Sequence, residues 1–189
     1  YGERGARGKG GMSAIIGLPA DVVEEGCRKA EEESGLCVVP ANYNCPGQIV
    51  VSGDKAAVDR AGELLKEAGA KLVAPLNVSG PFHSPLLKSA GEKLAEVLTS
   101  VKFVPAKLPY VCNVSAEKVT DTSLTADMLV RQVYSPVKWE QSVRLMLDEG
   151  VEEFIEIGPG KTLAGFMKRI DRAIPVITVN GVADLEKLG

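Results

Sequence analysis

The sequence predicts an α/β protein built in two parts, and two observations carry that prediction. Over residues 12–76, short apolar runs and amphipathic segments follow the order β-α-β-β-α-β, which is the ferredoxin-like split βαβ arrangement. Over residues 77–189, strands alternate with helical segments, which favours part of a parallel sheet covered by helices. Residues 1–11 are rich in glycine and arginine and are predicted to form a flexible lead-in.

Proline and glycine punctuate the elements of the first part. Pro19 suits the first turn of a helix that ends before Gly35, and a second apolar stripe stops at Gly69. A Pro-Gly pair at 46–47 joins two apolar runs as a hairpin. The predicted strands cover 12–18, 36–42, 48–53 and 70–76, and the predicted helices cover 19–34 and 54–69.

The second part opens with a helix start. Ser84 is a suitable N-cap, and Pro85 takes the first position of a helix whose apolar face continues to Leu98. A short predicted helix is cut off before Pro136, and the amphipathic helix after it ends at Gly150. The further predicted strands cover 108–114, 151–160 and 175–179, and the further helices cover 125–135, 137–150 and 161–170.

Composition excludes several classes of function. The 189 residues are 45% hydrophobic and carry a net charge of −3, which gives no electrostatic footprint for nucleic acid or an anionic membrane. No apolar run approaches the roughly 20 residues of a membrane span, and no signal-peptide pattern opens the chain. Four cysteines without a CxxC pair, and a single histidine, argue against a zinc site. We therefore expect reduced, mostly buried thiols in a cytoplasmic protein.

Four local features are candidate sites, each with an ordinary alternative. His83, the only histidine, is either a catalytic base or a loop or core histidine. The "IGPG" segment at 157–160 matches no complete phosphate-binding motif, so a strand-to-helix turn is favoured over a phosphate loop. Asn42, beside the hairpin, and Gln132, in a short helix, also suit purely structural roles. No serine or cysteine has the Gly-x-Ser-x-Gly context of a nucleophile elbow.

Five blocks, read together, resemble one family. They are "GGMSAIIGL", "ANYNCPGQIVVSG", "NVSGPFHSPLL", "LVRQVYSPVKW" and "EIGPGKTLAGF". In order and spacing they are similar to the C-terminal two-thirds of bacterial malonyl-CoA:acyl-carrier-protein transacylases. The resemblance implies an α/β-hydrolase-like large subdomain, to which residues 77–189 would contribute the closing part, and a ferredoxin-like small subdomain at 12–76.

The resemblance also implies chemistry and site residues. Family members transfer malonyl from coenzyme A to the phosphopantetheine thiol of acyl carrier protein, in type II fatty acid synthesis, through a malonyl-serine ester and without a cofactor or metal. The family's catalytic histidine falls on His83, and the glutamine whose neighbourhood orients it falls on Gln132. We therefore expect a ring nitrogen of His83 within about 3.2 Å of an oxygen in that neighbourhood. The family's cleft-facing asparagine falls on Asn42, and its bulky residue before the histidine falls on Phe82.

The sequence departs from the family pattern in two respects. The family's N-terminal third, which holds the serine elbow, has no counterpart among these residues, and Arg4 and Arg7 lack the context of the malonyl-binding arginine. We expect the chain by itself to be inactive. Apolar strand faces over 77–189 would then be covered by a missing N-terminal segment or by a second copy. The alternative is a non-catalytic fragment or interaction module built on residues 12–76.

Overall fold

The computed structural model describes residues 10–188 and has the mixed α/β character that the sequence predicts. The strands are β1 (Gly10–Ile16), β2 (Val38–Cys45), β3 (Gln48–Asp54), β4 (Leu72–Pro75), β5 (Tyr110–Cys112), β6 (Glu117–Val119), β7 (Phe154–Ile157) and β8 (Val176–Val179). The helices are α1 (Ala20–Ser34), α2 (Lys55–Glu67), α3 (Lys88–Leu98), α4 (Thr125–Val133), α5 (Trp139–Asp148) and α6 (Thr162–Ile170). Short 3₁₀ turns cover Pro85–Leu87, Thr122–Leu124 and Val182–Leu188.

The first four strands form one antiparallel sheet in the order β2-β3-β1-β4. Both α1 and α2 pack on the same face of it, because side chains alternate between faces along each strand. The largest core cluster contains only residues of β1 to β3, α1, α2 and the turn after β1, among them Ile15, Val23, Val51 and Leu65. This part of the chain therefore buries its own core, at roughly 1.5–3 kcal/mol for each large side chain.

The opposite face of this sheet carries a smaller cluster. Met12, Ala41 and Val50 are buried there. Backbone bonds join β2 to the segment before α5, since the Tyr43 amide donates to the Val137 carbonyl and the Val137 amide donates to the Ala41 carbonyl. The second part of the chain is therefore hydrogen-bonded to the edge of the sheet.

The start of the sheet differs from the prediction for the lead-in. β1 begins at Gly10, and Gly10 and Gly11 pair with Asp54 and Gly53 of β3. The prediction that residues 10–11 are flexible is therefore wrong, because ladder hydrogen bonds fix both glycines. Residues 1–9 of the predicted lead-in lie outside the described residues.

The second part contains two small sheets where one parallel sheet is predicted. β7 and β8 pair in parallel, as expected of strands separated by a helix. β5 instead forms an antiparallel hairpin with β6, an element the sequence does not indicate. β6 has only three residues, too few to show an alternating pattern, and that is why it was missed.

Apolar side chains remain exposed on the second part. Ile155 and Ile157 of β7 are 48% and 78% exposed, while Phe154 and Glu156, on the other face, are partly buried. The expected exposure of apolar strand faces is confirmed on this strand. Within residues 10–188, no helix combines the length and the apolar character needed to cross a bilayer.

Candidate active site

His83 lies in the tight loop that joins the first sheet to α3. Its backbone has a φ of +57°, in the left-handed region that non-glycine residues rarely occupy. The side chain is partly buried, between the buried Pro81 and the fully buried Ser84, whereas Phe82 is 42% exposed. The loop therefore presents Phe82 to solvent and holds His83 against the protein.

The Ser84 N-cap prediction needs correction. Ser84 does precede the 3₁₀ turn at Pro85–Leu87, and its backbone is extended as in a cap, but its side chain accepts no bond from the turn. Its hydroxyl instead donates to the carbonyl oxygen of Pro81 at 2.7 Å. The α-helix itself begins only at Lys88. The competing acceptor lies three residues back in the loop, and the Ser-Pro pattern does not reveal it.

The predicted contact between His83 and the Gln132 neighbourhood is present. Nδ1 of His83 lies 2.9 Å from the backbone oxygen of Gln132. A carbonyl oxygen only accepts hydrogen bonds, so Nδ1 carries the hydrogen and donates it. In the neutral ring, Nε2 is then the acceptor atom, and it has no hydrogen bond within residues 10–188. The geometry leaves Nε2 free to take up a proton.

The carbonyl of Gln132 is available because of where α4 ends. The last carbonyls of a helix lack intrahelical partners, and α4 ends at Val133. The residue four positions after Gln132 is Pro136, which has no amide hydrogen to donate. The oxygen also lies at the negative end of the helix dipole, which favours a donor there. Pro136 is thus a site residue that its spacing from Gln132 could have indicated in the sequence.

The side chain of Gln132 has a different task from its carbonyl. Its Nε2 donates to the carbonyl oxygens of Ser135 and Pro136 at 3.0 and 3.4 Å, which folds the chain back after α4. Its Oε1 is buried and makes no hydrogen bond in the described part of the chain. Gln132 therefore contacts His83 through its main-chain carbonyl, while its side chain stabilises the turn after α4.

Asn42 lies in β2, in register with Val50 of β3. Directly opposed residues face the same side of a sheet, so Asn42 faces the side that holds Val50 and Met12, away from α1 and α2. Its side-chain amide makes no hydrogen bond among residues 10–188, and no bond joins it to His83 there. The structure thus brings His83 and Gln132 together and places Asn42 in β2, at one edge of the first sheet.

The Gly-Pro-Gly segment is a strand-to-helix turn, as the sequence favours. The Glu156 carboxylate accepts hydrogen bonds from the backbone amides of Leu163 and Ala164, at 3.0 and 2.8 Å, and so caps α6. The amide of Gly160 donates to the side-chain oxygen of Asn180 at 2.6 Å. Amides that a phosphate would need are therefore already occupied, which contradicts the phosphate-loop alternative. The capping role of Glu156 was missed because its partners lie seven and eight residues ahead.

The cysteines are not candidate nucleophiles. All four thiols are free, and Cys27, Cys45 and Cys112 are buried, which confirms the prediction of mostly buried, unpaired thiols. Burial raises the pKa of Cys27 to about 12, and burial with nearby Glu31 raises the pKa of Cys37 to about 11. Both are therefore protonated at neutral pH and lack the thiolate that attack requires. No cluster of three potential metal ligands occurs in residues 10–188.

A family profile described as "Acyl transferase domain" matches residues 4–184 of the sequence. The chain belongs to the acyl transferase domain family. Among its relatives, the malonyl CoA-acyl carrier protein transacylase of Bacillus subtilis (strain 168) is 46% identical over 179 residues, which cover 95% of this chain and 56% of the relative. The same-named protein of Staphylococcus aureus (strain MSSA476) is 43% identical over 179 residues, covering 95% of this chain and 58% of the relative.

Solved structures of similar proteins share the fold. An acyl carrier protein S-malonyltransferase from Vibrio cholerae aligns with a TM-score of 0.93 at 44% identity, over 97% of this chain and 59% of that one. A malonyl-transacylase in complex with a type II polyketide synthase acyl-carrier protein aligns at 0.91 and 40% identity, over 96% of this chain and 58% of that one. The chain thus spans less than two-thirds of the length of these relatives.

Proposed function

We propose that this chain is the histidine-bearing part of an enzyme that transfers malonyl from coenzyme A to the phosphopantetheine thiol of acyl carrier protein, in type II fatty acid synthesis. The observation that carries the proposal is the bond from Nδ1 of His83 to the Gln132 carbonyl, which leaves Nε2 free as a base. The names of relatives that align over 95–96% of this chain support the assignment of the substrates.

In this proposal the reaction proceeds through a malonyl-serine ester on a serine outside the 189 residues. Nε2 of His83 takes the proton from the serine hydroxyl as it attacks the thioester, and returns it to the departing coenzyme A thiolate. The second half-reaction repeats these steps with the phosphopantetheine thiol as nucleophile and the serine as leaving group. The carbonyl of Gln132 holds the ring and favours the positive charge that develops on it.

Asn42 and Phe82 are proposed to contact the substrate. The free side-chain amide of Asn42 can donate to and accept from a polar substrate group, and the exposed ring of Phe82 can limit the size of the acyl group beside His83. No cofactor or metal takes part in this scheme, because proton transfer and ester formation need only the histidine and the serine. The cytoplasmic location stays a prediction.

We further propose that residues 12–76 are a ferredoxin-like small subdomain and residues 77–189 the closing part of an α/β-hydrolase-like large subdomain. The sheet order β2-β3-β1-β4 and the separate core beneath α1 and α2 support the first assignment. The parallel pair β7–β8 and the exposed face of β7 support the second, since a larger sheet would cover such a face. The 189-residue chain alone is then inactive.

The test of this function uses a longer protein that contains both this segment and the serine. His83→Asn removes the base but suits the φ of +57°, because asparagine tolerates the left-handed region. We expect malonyl transfer to holo acyl carrier protein to fall by about 10²–10⁴-fold or more. Formation of the malonyl-enzyme in a single turnover should fall in parallel. Near-native turnover of the folded variant would remove His83 from the mechanism.

The alternative, an interaction module without catalysis, draws on one observation. The core beneath α1 and α2 contains no residue beyond the first four strands and their helices. If this unit is the functional part, residues 10–76 expressed alone should unfold cooperatively. They should also bind acyl carrier protein as tightly as the full 189-residue chain does. A longer protein that transfers malonyl only with His83 intact would decide for the enzyme.

A further inference from the structure

The backbone of His83 is held in an unfavourable conformation. Among residues 10–188, only His83 and Ala116 combine a side chain with a positive φ, and both have a φ of +57°. Such a conformation persists where neighbouring groups restrain it, and it concentrates at functional sites. The bond from Nδ1 to Gln132 acts on the ring, at the far end of the side chain. A separate restraint must therefore act on the loop backbone.

Ser84 supplies a restraint of that kind. The residue is fully buried, and its hydroxyl donates to the carbonyl oxygen of Pro81 at 2.7 Å. This bond spans Phe82 and His83, so it closes the loop around the strained residue. A second short bond runs inside the loop, from the amide of Phe82 to the carbonyl of Gly80 at 3.0 Å. The loop therefore has few ways to relax while the Ser84 bond is intact.

Pro81, which receives the bond, is itself anchored to the sheet. Its ring is fully buried against Gly10, where a Cβ atom on residue 10 would overlap the ring carbons. Gly10 in turn pairs with Asp54 in the β1–β3 ladder. The Ser84 hydroxyl thus ties the backbone beside His83 to the first sheet, while the His83 ring reaches the end of α4.

We propose that Ser84 is a positioning residue for His83. Its hydroxyl holds the left-handed backbone that brings Nδ1 within reach of the Gln132 carbonyl, and it thereby selects the ring tautomer with hydrogen on Nδ1. That this tautomer matters for catalysis rests on the proposed function. Its structural content, a hydroxyl that controls the tautomer of a neighbouring histidine, is independent of turnover.

The test exploits the single histidine of the chain. In untagged protein labelled with ¹⁵N-histidine, the ring nitrogens of His83 give one set of NMR signals, which distinguish the two tautomers of a neutral imidazole. A free ring in water favours hydrogen on Nε2. We expect the wild-type chain to show hydrogen on Nδ1, and Ser84→Ala to shift the population toward the Nε2–H form.

Ser142→Ala is the matched control. Ser142 is 2% exposed, and its hydroxyl donates to the carbonyl of Lys138 at 2.8 Å, so the variant deletes a hydroxyl-to-backbone bond of similar length in another part of the chain. It should leave the His83 tautomer unchanged. If Ser84→Ala also leaves the Nδ1–H form dominant, or if both variants shift it equally, the positioning role of Ser84 is wrong.

A second pair of variants keeps the test decisive if Ser84→Ala folds poorly. Ser84→Thr and Ser84→Val have nearly the same shape, both suit the extended backbone of this residue, and only threonine has the hydroxyl. We expect the threonine variant to retain the Nδ1–H form and the valine variant to lose it. Equal tautomer populations in the two would overturn the proposal. Because no turnover is measured, that outcome is distinct from failure of the proposed function, which His83→Asn tests.

Discussion

Gly91 of α3 packs directly against the ring of Tyr134, just after α4. A Cβ atom at position 91 would lie 2.8 Å from Cδ1 and Cε1 of that ring and 3.1 Å from the carbonyl oxygen of Val130. The helix that follows the His83 loop and the helix that ends beside the Gln132 carbonyl therefore meet at a glycine. The residue at position 91 therefore limits how closely α3 can approach α4, the helix that carries the Gln132 carbonyl.

Gly91→Ala should accordingly loosen the site. The added methyl group pushes α3 away from α4, and overpacking of this kind destabilises by typically about 1–3 kcal/mol. We expect lower urea stability and a weaker bond from Nδ1 of His83, seen as a shift of its ¹⁵N signals toward the Nε2–H form.

Gly165→Ala is the control for that variant. Gly165 lies in α6, and a Cβ atom there would meet no group within 4 Å outside the adjoining helix backbone, so the added methyl group enters open space. Alanine is favoured over glycine in a helix by roughly 0.5–1 kcal/mol, and stability should rise or stay level. Equal effects of the two substitutions would contradict the packing argument.

Gln132→Ala should be much milder than loss of the histidine. The variant keeps the backbone carbonyl that receives Nδ1 of His83, and it removes only the side-chain bonds to Ser135 and Pro136. Each neutral bond contributes about 0.5–1.5 kcal/mol to stability. In a longer, active protein we expect turnover within about tenfold of wild type. A loss as large as that of His83→Asn would show that the side chain acts on catalysis directly.

The capping bonds of Glu156 predict a stability effect at α6. Glu156→Ala leaves the amides of Leu163 and Ala164 without their acceptor and should cost about 0.5–2 kcal/mol in the free energy of unfolding, measured by urea denaturation. The control is Glu153→Ala, which removes an exposed carboxylate just before β7. Similar losses of stability in both variants would mean that removal of a negative charge, and not loss of the helix cap, causes the effect.

The raised pKa values of two thiols predict a dependence of stability on pH. The pKa of Cys27 rises from 9.0 to about 12 and that of Cys37 from 9.0 to about 11, so the folded state retains protons that the unfolded state releases. The associated stability is fully present below pH 9 and is lost as the pH rises through 11 to 12. The free energy of unfolding should fall over this range, and the fall should be smaller in Cys27→Ala. At about pH 8, iodoacetamide should label the buried Cys27 only after unfolding.

The exposed face of β7 predicts association of the isolated chain. Ile155 and Ile157 project from a strand whose one partner among the described residues is β8. Light scattering on the purified 189-residue chain should show oligomers or a bound partner, and Ile157→Lys should reduce them. Val182→Lys, at an 85% exposed position on a 3₁₀ turn, is the control and should leave association unchanged. A monodisperse wild-type monomer would contradict the prediction.

The elements that local sequence determines were predicted well. The helix from Pro19 to Gly35 and the hairpin around Pro46 and Gly47 follow from residues whose φ angles and apolar spacing favour only one structure. The position of His83 beside the Gln132 neighbourhood also followed from the sequence, through the family resemblance. The sequence suffices to predict these features, because each depends either on short-range conformational preferences or on a sequence block that resembles the family.

Tertiary structure alone decided the rest. Ser84 donates to Pro81 and not to the following turn, β6 pairs with β5, and Glu156 caps a helix seven residues further on. In each case several hydrogen-bond partners are chemically equivalent, and the sequence does not indicate which of them is chosen. The choice is made by packing between distant segments, such as Pro81 on Gly10 and Gly91 on Tyr134, which sets the partners that come within about 3 Å of one another.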